Sequence, residues 1–172
     1  MRQDEPTKLM PNLLTVAVFT AVATAGGLVK IPSPVGSVAV DSAPGYFCSA
    51  FYGPWVGGIV GALGHLGSAA SGGFPLGLLH FVVAFEMFAF TFIFGWLARR
   101  WSTSTGLAMA SAAAIALNGL AASPILALVP SIGIPWSLAR TLIPFLLAAS
   151  FANVVLAAGA FRLLARLRVP GI

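Results

Sequence analysis

Residues Leu76–Ala98 read LGLLHFVVAFEMFAFTFIFGWLA, and this stretch decides the class of fold. A helix needs about 17 to 25 mainly apolar residues to cross a bilayer, so the stretch is long enough to do so. It nevertheless carries a carboxylate, Glu86, near its middle. A charge near the bilayer centre costs roughly 2.5 to 3.5 kcal/mol on insertion scales, so such residues usually face a cavity, a partner or a substrate. We therefore predict a transmembrane helix that carries a functional group.

The composition of the whole chain places it in the membrane. Hydrophobic residues make up 59% of the sequence and charged residues 8%, and the mean hydropathy is +0.98, values outside the range of soluble globular domains. The net charge is +5, but the basic residues stand at the ends of apolar segments, which favours a role in topology over nucleic-acid binding. The single cysteine, Cys48, rules out an intrachain disulfide framework and metal-ligand spacing, and we expect a small core residue.

Proline, glycine and arginine divide the chain into six apolar segments. We therefore predict an all-α integral membrane protein, a single domain over residues 1–172, whose six transmembrane helices are roughly Leu9–Val29, Val38–Tyr52, Trp55–Ser71, Leu76–Ala98, Gly106–Val129 and Trp136–Leu164. The second and third segments are short, and one long kinked hairpin is an alternative for them. Met1–Lys8 carries both charge signs and no small-residue cleavage site follows soon after it, so we expect the first helix to be retained.

The distribution of basic residues predicts the orientation. With six spans, one side of the membrane receives Arg2, Lys8, Arg99, Arg100, Arg162, Arg166 and Arg168. That side is predicted to be cytoplasmic, so both termini lie inside a multi-pass protein of the cell membrane. Lys30 and Asp41 then flank the first outer loop, whereas Glu86 and Asn118 lie near mid-depth. Polar residues from several spans meet in the outer half, which predicts one shared pocket open to the outside.

Two stripes of small residues predict helix packing. On the third span, spacings of four, three and three align Gly57, Gly61, Gly64 and Gly67 on one face. We interpret these glycines as packing positions rather than ligand contacts. On the first span, a repeat of four aligns Ala17, Ala21 and Ala25, a smooth face for another helix of this chain or of a partner.

These features together resemble a known family over nearly the whole chain: the substrate-binding S component of an energy-coupling-factor (ECF) vitamin transporter. The resemblance rests on the six short spans, the alanine repeat, and the segments Lys30-Ile-Pro-Ser-Pro-Val-Gly, Asp41-Ser-Ala-Pro, Gly-Ala-Leu-Gly-His65 and Gly-Phe-Pro-Leu-Gly. Within the family, the Lys-Ile-Pro-Ser-Pro stretch and the Asp-Ser, Gly-His and Leu-His...Glu elements are most similar to members assigned to α-ribazole. That compound is a benzimidazole riboside salvaged for cobalamin synthesis.

The resemblance implies a mechanism and partners. Such S components capture a vitamin from outside, the first outer loop closes over it, and a transmembrane T subunit with two ATPases drives uptake. ATP is used by those partners, so no cofactor is expected in this chain, which contains no Gly-x-x-x-x-Gly-Lys-Ser/Thr phosphate loop. The family's alanine repeat contacts the T subunit, which would assign that role to Ala17, Ala21 and Ala25, with ordinary intramolecular packing as the alternative.

The candidate substrate-binding residues are Lys30, Asp41, His65, Phe74, His80, Glu86, Asn118, Trp136 and Arg140. A riboside offers vicinal hydroxyls that a carboxylate can accept in pairs, and Asp41 and Glu86 suit them. Its fused aromatic base needs flat apolar walls, which Phe74 and Trp136 could supply. The ring nitrogens or neighbouring oxygens suit His65, His80, Asn118 and Arg140.

Several of these residues have structural alternatives. Asp41 could pair with Lys30 or cap a helix, and Arg140 could pair with Glu86 or Asp41. His80 and Glu86 are six residues apart, about 120° around a helix, so both need not face one cavity.

A deeper polar residue is expected to serve packing. Asn153 lies about 20 Å along its helix from Arg140, too deep for the same pocket, and is predicted to form an interhelical hydrogen bond.

Other ligands and other classes of function are alternatives. The ligand could be another vitamin, namely riboflavin, thiamine, a queuosine precursor or a cobalamin fragment. An intramembrane enzyme is disfavoured because Ala70-Ser71-Gly72-Gly73 lacks the Gly-x-Ser-Gly context of rhomboid-type proteases. A stand-alone channel or carrier is disfavoured because no internal repeat is evident. We expect a protein that binds its ligand and does not react with it.

Overall fold

The computed structural model describes residues 13–34, 36–101 and 103–167. Along the chain, the helices and strands are α1 (Leu13–Gly26), β1 (Lys30–Ser33), β2 (Gly36–Ala39), α2 (Ala43–Phe51), α3 (Pro54–Ser71), α4 (Leu79–Arg100), α5 (Thr103–Ala116), a π turn (Leu117–Ala121), α6 (Ala122–Ala127) and α7 (Trp136–Arg166). Arg2, Lys8 and Arg168, which entered the prediction of orientation, and Met1–Lys8 lie outside the described residues, so the position of the termini stays a prediction.

The all-α prediction was incomplete, because a β-hairpin precedes α2. Its two antiparallel strands pair Lys30 with Ala39 and Ser33 with Gly36. The predicted second span, Val38–Tyr52, therefore begins inside a strand, and only nine of its residues form the helix α2. Both strands of a two-stranded sheet are edges, where proline is tolerated, so Pro32 can stand in β1 although the sequence there indicated a loop.

Three helical segments are long and apolar enough to cross a membrane by length and composition: Leu79–Arg100, Ser104–Ala127 and Trp136–Arg166. Within the described part of the chain, α1 is a shorter apolar helix of 14 residues. Six complete transmembrane helices therefore remain a prediction.

The helix α3 packs against α1, α2 and α4, and its glycine stripe makes this close approach possible. A Cβ atom added at Gly61 would lie 2.8 Å from Thr91 Oγ1 of α4. A Cβ at Gly57 would collide with Ser49 of α2. At Gly64 and Gly67, an added Cβ would likewise collide with residues of α1. The prediction that the stripe serves helix packing is confirmed.

The helix α2 is held at both ends by side chains of other helices. Asn153 of α7 accepts hydrogen bonds at its Oδ1 from the backbone N–H groups of Ser42, at 2.9 Å, and Ala43, at 2.7 Å. At the other end, Arg99 Nη1 of α4 donates to the carbonyl oxygens of Ala50 and Phe51. Free N–H groups at a helix start and free carbonyls at its end need such partners. The interhelical hydrogen bond predicted for Asn153 is confirmed.

The largest hydrophobic cluster lies toward the end of α4 that carries Arg99. Tyr46 and Phe94 meet there with ring centroids 5.0 Å apart, and Leu107 of α5 and Val154 of α7 close the cluster. Cys48 belongs to it and is fully buried, as predicted for a small core residue. A second hydrophobic cluster lies in the opposite half of the molecule, around the first turns of α4, where Leu79 meets Leu126 of α6 and Leu142 of α7.

Candidate binding cavity

A cavity of about 130 Å³ lies in that opposite half. Its wall combines the hairpin, the last turns of α3, the first half of α4, the π turn, α6 and the first half of α7. A single water needs roughly 10 to 15 Å³ on this measure, so the cavity has room for a small organic molecule. The shared pocket predicted from polar residues of several spans is present in the structure.

Six of the nine predicted substrate-binding residues line this cavity: Lys30, Asp41, His65, His80, Glu86 and Asn118. His80 and Glu86 both line it in spite of their angular separation, because the cavity spans a broad face of α4. The wall also contains three serines that were not among the predicted residues: Ser42 before α2, Ser68 of α3 and Ser123 of α6. Ser123 Oγ donates to the Ala139 carbonyl, so its proton is used within the protein.

Three predicted residues are not part of the cavity wall. Arg140 is exposed on α7 and its Nε donates to the Trp136 carbonyl of its own helix at 3.4 Å, so it pairs with neither Glu86 nor Asp41. Trp136 is 50% exposed at the start of α7. Phe74 is 37% exposed, and its ring meets the His80 ring edge-on with the centroids 5.6 Å apart.

The apolar part of the wall is aliphatic rather than aromatic. It is supplied mainly by Val83, Met87, Leu126, Leu142 and Leu146. The sequence predicted aromatic walls because a fused ring system needs flat apolar surfaces, but branched aliphatic side chains and a methionine can provide such surfaces too.

Glu86 is the most unusual group in the cavity. Its side chain is only 4% exposed, and neither Oε1 nor Oε2 has a hydrogen-bond partner among the described residues. A buried polar group without a partner is costly, and a buried unpaired carboxylate more so. Because Glu86 lines the cavity, a ligand there would be the natural source of the missing hydrogen bonds.

A chain of four groups runs along one side of the cavity. The backbone N–H of Leu76 donates to His80 Nε2 at 3.2 Å, and His80 Nδ1 lies 3.1 Å from His65 Nε2. His65 Nδ1 faces Asp41 Oδ2 at 3.7 Å, so Asp41 meets His65 rather than Lys30. These hydrogen-bonded and paired groups connect the segment before α4 with Asp41, two residues after the hairpin.

The direction of these hydrogen bonds defines both histidine tautomers. A backbone N–H can only donate, so His80 Nε2 must be an unprotonated acceptor. A neutral His80 then carries its proton on Nδ1 and donates it to His65 Nε2. By the same argument, a neutral His65 carries its proton on Nδ1, toward Asp41. All four ring nitrogens therefore have partners inside the protein, and the histidines position Asp41 and the segment around Leu76 rather than offering donors to a ligand.

Asn118 reaches the wall from an irregular turn of helix. Leu117–Ala121 forms a π turn in which the Ala122 N–H bonds to the Leu117 carbonyl. Pro124 follows and has no N–H to donate to the carbonyl four residues earlier, which disturbs regular α-helical bonding. The Asn-Gly pair and Pro124 were the sequence signals for this irregularity, and π turns often occur at functional sites.

The alanine repeat lies on the outer face of α1. Ala17, Ala21 and Ala25 are all exposed, whereas Ala23 faces α3 and is fully buried. Intramolecular packing of the repeat is therefore not realised in the described part of the chain. Within that same part, no cluster of three histidine, cysteine or acidic side chains is arranged to hold a metal ion.

Comparisons with known proteins agree with the fold. Residues 10–167 match the family model of the S component of ECF-type riboflavin transporters. Among solved structures, the chain is similar to the S component of a bacterial ECF transporter, with a TM-score of 0.60 and 23% sequence identity over 90% of this chain and 95% of that one. At that identity, the likeness concerns the fold. No curated protein matches the sequence.

Proposed function

The chain belongs to the family of ECF-type riboflavin transporter S components, and from that premise we propose that it captures a vitamin or vitamin precursor outside the cell for ATP-driven uptake. S components are membrane transport subunits and not enzymes. In this proposal the chain lies in the cell membrane with both termini in the cytoplasm and delivers its ligand through a T subunit and two ATPases. The exposed alanines Ala17, Ala21 and Ala25 would form the surface that meets the T subunit.

The observation that carries the proposal is the carboxylate of Glu86, which lines a largely apolar cavity and has no hydrogen-bond partner among the described residues. Its two oxygens can accept a pair of hydroxyl protons, as a riboside offers. The amide of Asn118 can meet a ring nitrogen or oxygen, and the aliphatic side chains of α4, α6 and α7 can cover the faces of a fused ring. The hairpin, which contributes Lys30, Val38 and Ala39 to the wall, would be the loop that closes over the ligand.

The first candidate ligand is α-ribazole, because the segments from Lys30 to Glu86 are most similar to members of that type. Riboflavin is the second candidate, since the matching family model is named for it. The ribityl chain of riboflavin also carries adjacent hydroxyls, so Glu86 suits both ligands. The two ligands differ in the size and shape of their ring systems, so the affinity of the protein for each of them must be measured.

The test is titration calorimetry on the full-length protein in detergent, with α-ribazole, riboflavin and thiamine compared side by side. We expect saturable binding of one of them, and Glu86→Ala should abolish it or weaken it by about 100-fold, since a buried charge-assisted pair of hydrogen bonds is lost. Phe85→Ala is the matched control, because Phe85 is the neighbouring residue and is 73% exposed. Its affinity should equal that of the wild type. If none of the three vitamins binds, or if Glu86→Ala binds normally, the proposal is wrong.

A further inference from the structure

We propose that Asn153 of α7 is a positioning residue of the binding site, although it is not among the described residues that line the cavity. It caps the start of α2 in place of Ser42, and this leaves the Ser42 hydroxyl to hold the Asp41 carboxylate in the cavity wall. The inference rests on the proposed function and adds to it a residue that acts on the ligand through others.

The cap of α2 departs from the usual arrangement. Ser42 occupies the N-cap position, where a serine oxygen usually accepts from the N–H of the second or third helical residue. Here the Ser42 side chain makes no capping hydrogen bond, and the second helical residue is Pro44, which has no N–H. Asn153 Oδ1 instead accepts from the backbone N–H groups of Ser42, at 2.9 Å, and Ala43, at 2.7 Å. The cap is therefore provided by a side chain of another helix.

The hydroxyl of Ser42 is used in the cavity wall instead. Its Oγ donates to Asp41 Oδ1 at 3.0 Å and lies 3.4 Å from Met87 Sδ. All three residues line the cavity, and the other carboxylate oxygen of Asp41 lies 3.7 Å from His65 Nδ1. If Ser42 capped its own helix, its oxygen would turn toward the backbone N–H of Gly45. Asp41 would then lose the hydrogen bond that fixes its Oδ1.

Asn153 is itself fixed in orientation. Its side chain is 1% exposed, and its Nδ2 donates to the Ala149 carbonyl, one turn earlier on α7, at 2.9 Å. Because the amide nitrogen is used in this bond, the acceptor oxygen is the atom that faces α2. Ala149 lines the cavity. Asn153 thus joins the wall that α7 contributes to the wall at the start of α2.

The backbone around Asp41 has an anchor on each side. On the hairpin side, the Val40 N–H donates to the Val29 carbonyl at 3.0 Å. On the helix side, the anchor is the pair of hydrogen bonds that Asn153 accepts. Without that pair, the segment that carries Asp41 would be held on the hairpin side alone, and the position of its carboxylate would be less well defined.

The experiment is a double-mutant cycle on the full-length protein in detergent. Calorimetry measures the affinity for whichever of α-ribazole, riboflavin and thiamine binds. Asn153→Leu keeps a similar volume and removes the acceptor, and it should weaken binding by about tenfold. Because Asn153 acts through Asp41, adding Asn153→Leu to Asp41→Ala should weaken binding by no more than about twofold further. Normal binding by Asn153→Leu, or losses that multiply in the double variant, would contradict the proposal.

Two further variants separate positioning from a general loss of stability. Asn153→Asp keeps an oxygen in the place of Oδ1 and should bind more tightly than Asn153→Leu. Arg99→Met removes the hydrogen bonds at the other end of α2. It should lower the temperature of thermal unfolding and leave the affinity unchanged. Equal losses of affinity in Arg99→Met and Asn153→Leu would show that the stability of α2 is the cause, and would overturn the positioning role.

A readout without ligand distinguishes this inference from the function on which it rests. The His65 ring faces Asp41, so its ¹⁵N signals should shift in ligand-free Asn153→Leu and stay as in the wild type in Arg99→Met. If the wild type binds none of the three vitamins, the proposed function is wrong, and the His65 signals then decide whether Asn153 positions Asp41. Unchanged His65 signals in Asn153→Leu would overturn the inference whether or not a vitamin binds.

Discussion

At the scale of single residues, the two imidazoles have a defined direction of donation. The backbone N–H of Leu76 requires a lone pair on His80 Nε2, so a neutral His80 carries its proton on Nδ1. His80 Nδ1 then donates to His65 Nε2 across the 3.1 Å contact, so His65 Nε2 must also carry a lone pair. Neutral histidine in water favours the proton on Nε2, so the arrangement here is imposed by the protein. It explains why histidines in a binding cavity need not touch the ligand.

We predict that both histidines carry their proton on Nδ1 at neutral pH. The measurement is the ¹⁵N spectrum of protein labelled in histidine, which is simple to assign because the sequence contains two histidines. His65→Asn and His80→Asn identify the signal of each ring. A protonated Nε2 on either ring of the wild type would contradict the hydrogen-bond chain.

The sequence identified the acidic groups of the site but not the position of every neighbour. Glu86 and Asp41 stood out because charged residues in apolar segments are rare and costly. Arg140 was included because of its predicted depth, but depth along a helix does not say which way a side chain points, and Arg140 lies on the exposed side of α7. Trp136, at the start of α7, was misplaced for the same reason, whereas Phe74 lies in the connection between α3 and α4.

At the scale of elements, the helices were predicted better than the irregular segments between and within them. A run of apolar residues specifies a helix in a membrane because backbone groups must be satisfied locally. The hairpin depends on pairing between two short strands, and the π turn depends on a shift of one hydrogen bond. Neither produces a strong periodic pattern, so Val38 and Ala39 were assigned to a helix.

The glycine stripe of α3 gives a prediction about stability. Gly61→Ala should lower the free energy of unfolding by about 1 to 3 kcal/mol, because its Cβ would press on Thr91 of α4. Gly159→Ala in α7 is the matched control, since nothing lies within 4 Å of a Cβ at that position. The control should be neutral or stabilising by about 0.5 to 1 kcal/mol, as expected for glycine replaced inside a helix. Thermal unfolding in detergent measures both, and equal effects of the two substitutions would contradict the packing role.

At the scale of the whole molecule, the ligand cavity and the alanine face are separate surfaces. No residue of α1 lines the cavity in the described part of the chain. One side of α1 packs on α3 through Ala23 and Thr24, and the other side is exposed. Ligand binding and assembly should therefore respond to different substitutions.

This separation gives a prediction about assembly. Replacing both Ala17 and Ala21 with Trp should prevent a stable complex with the T subunit and the ATPases, because the bulky rings block close helix contact. The vitamin affinity of the isolated protein should not change. Ala112→Trp, on the exposed face of α5, is the matched control and should assemble normally. Co-purification with the partner subunits and uptake into cells measure the effect, and normal uptake by the double variant would exclude the alanine face as the contact.

The π turn makes the cavity wall depend on the number of residues in the chain as well as on their types. A π turn holds one residue more than a regular α-helical path between the same two ends. If the same residues adopted regular α-helical bonding with no residue deleted, every later position of the segment would rotate by about 100° relative to α5. Ser123 and Leu126 would then leave the wall and their neighbours would enter it. The π turn thus absorbs one extra residue and keeps one side of the binding site in place, so a chain that lacked both the π turn and one residue between 117 and 121 would present the same side.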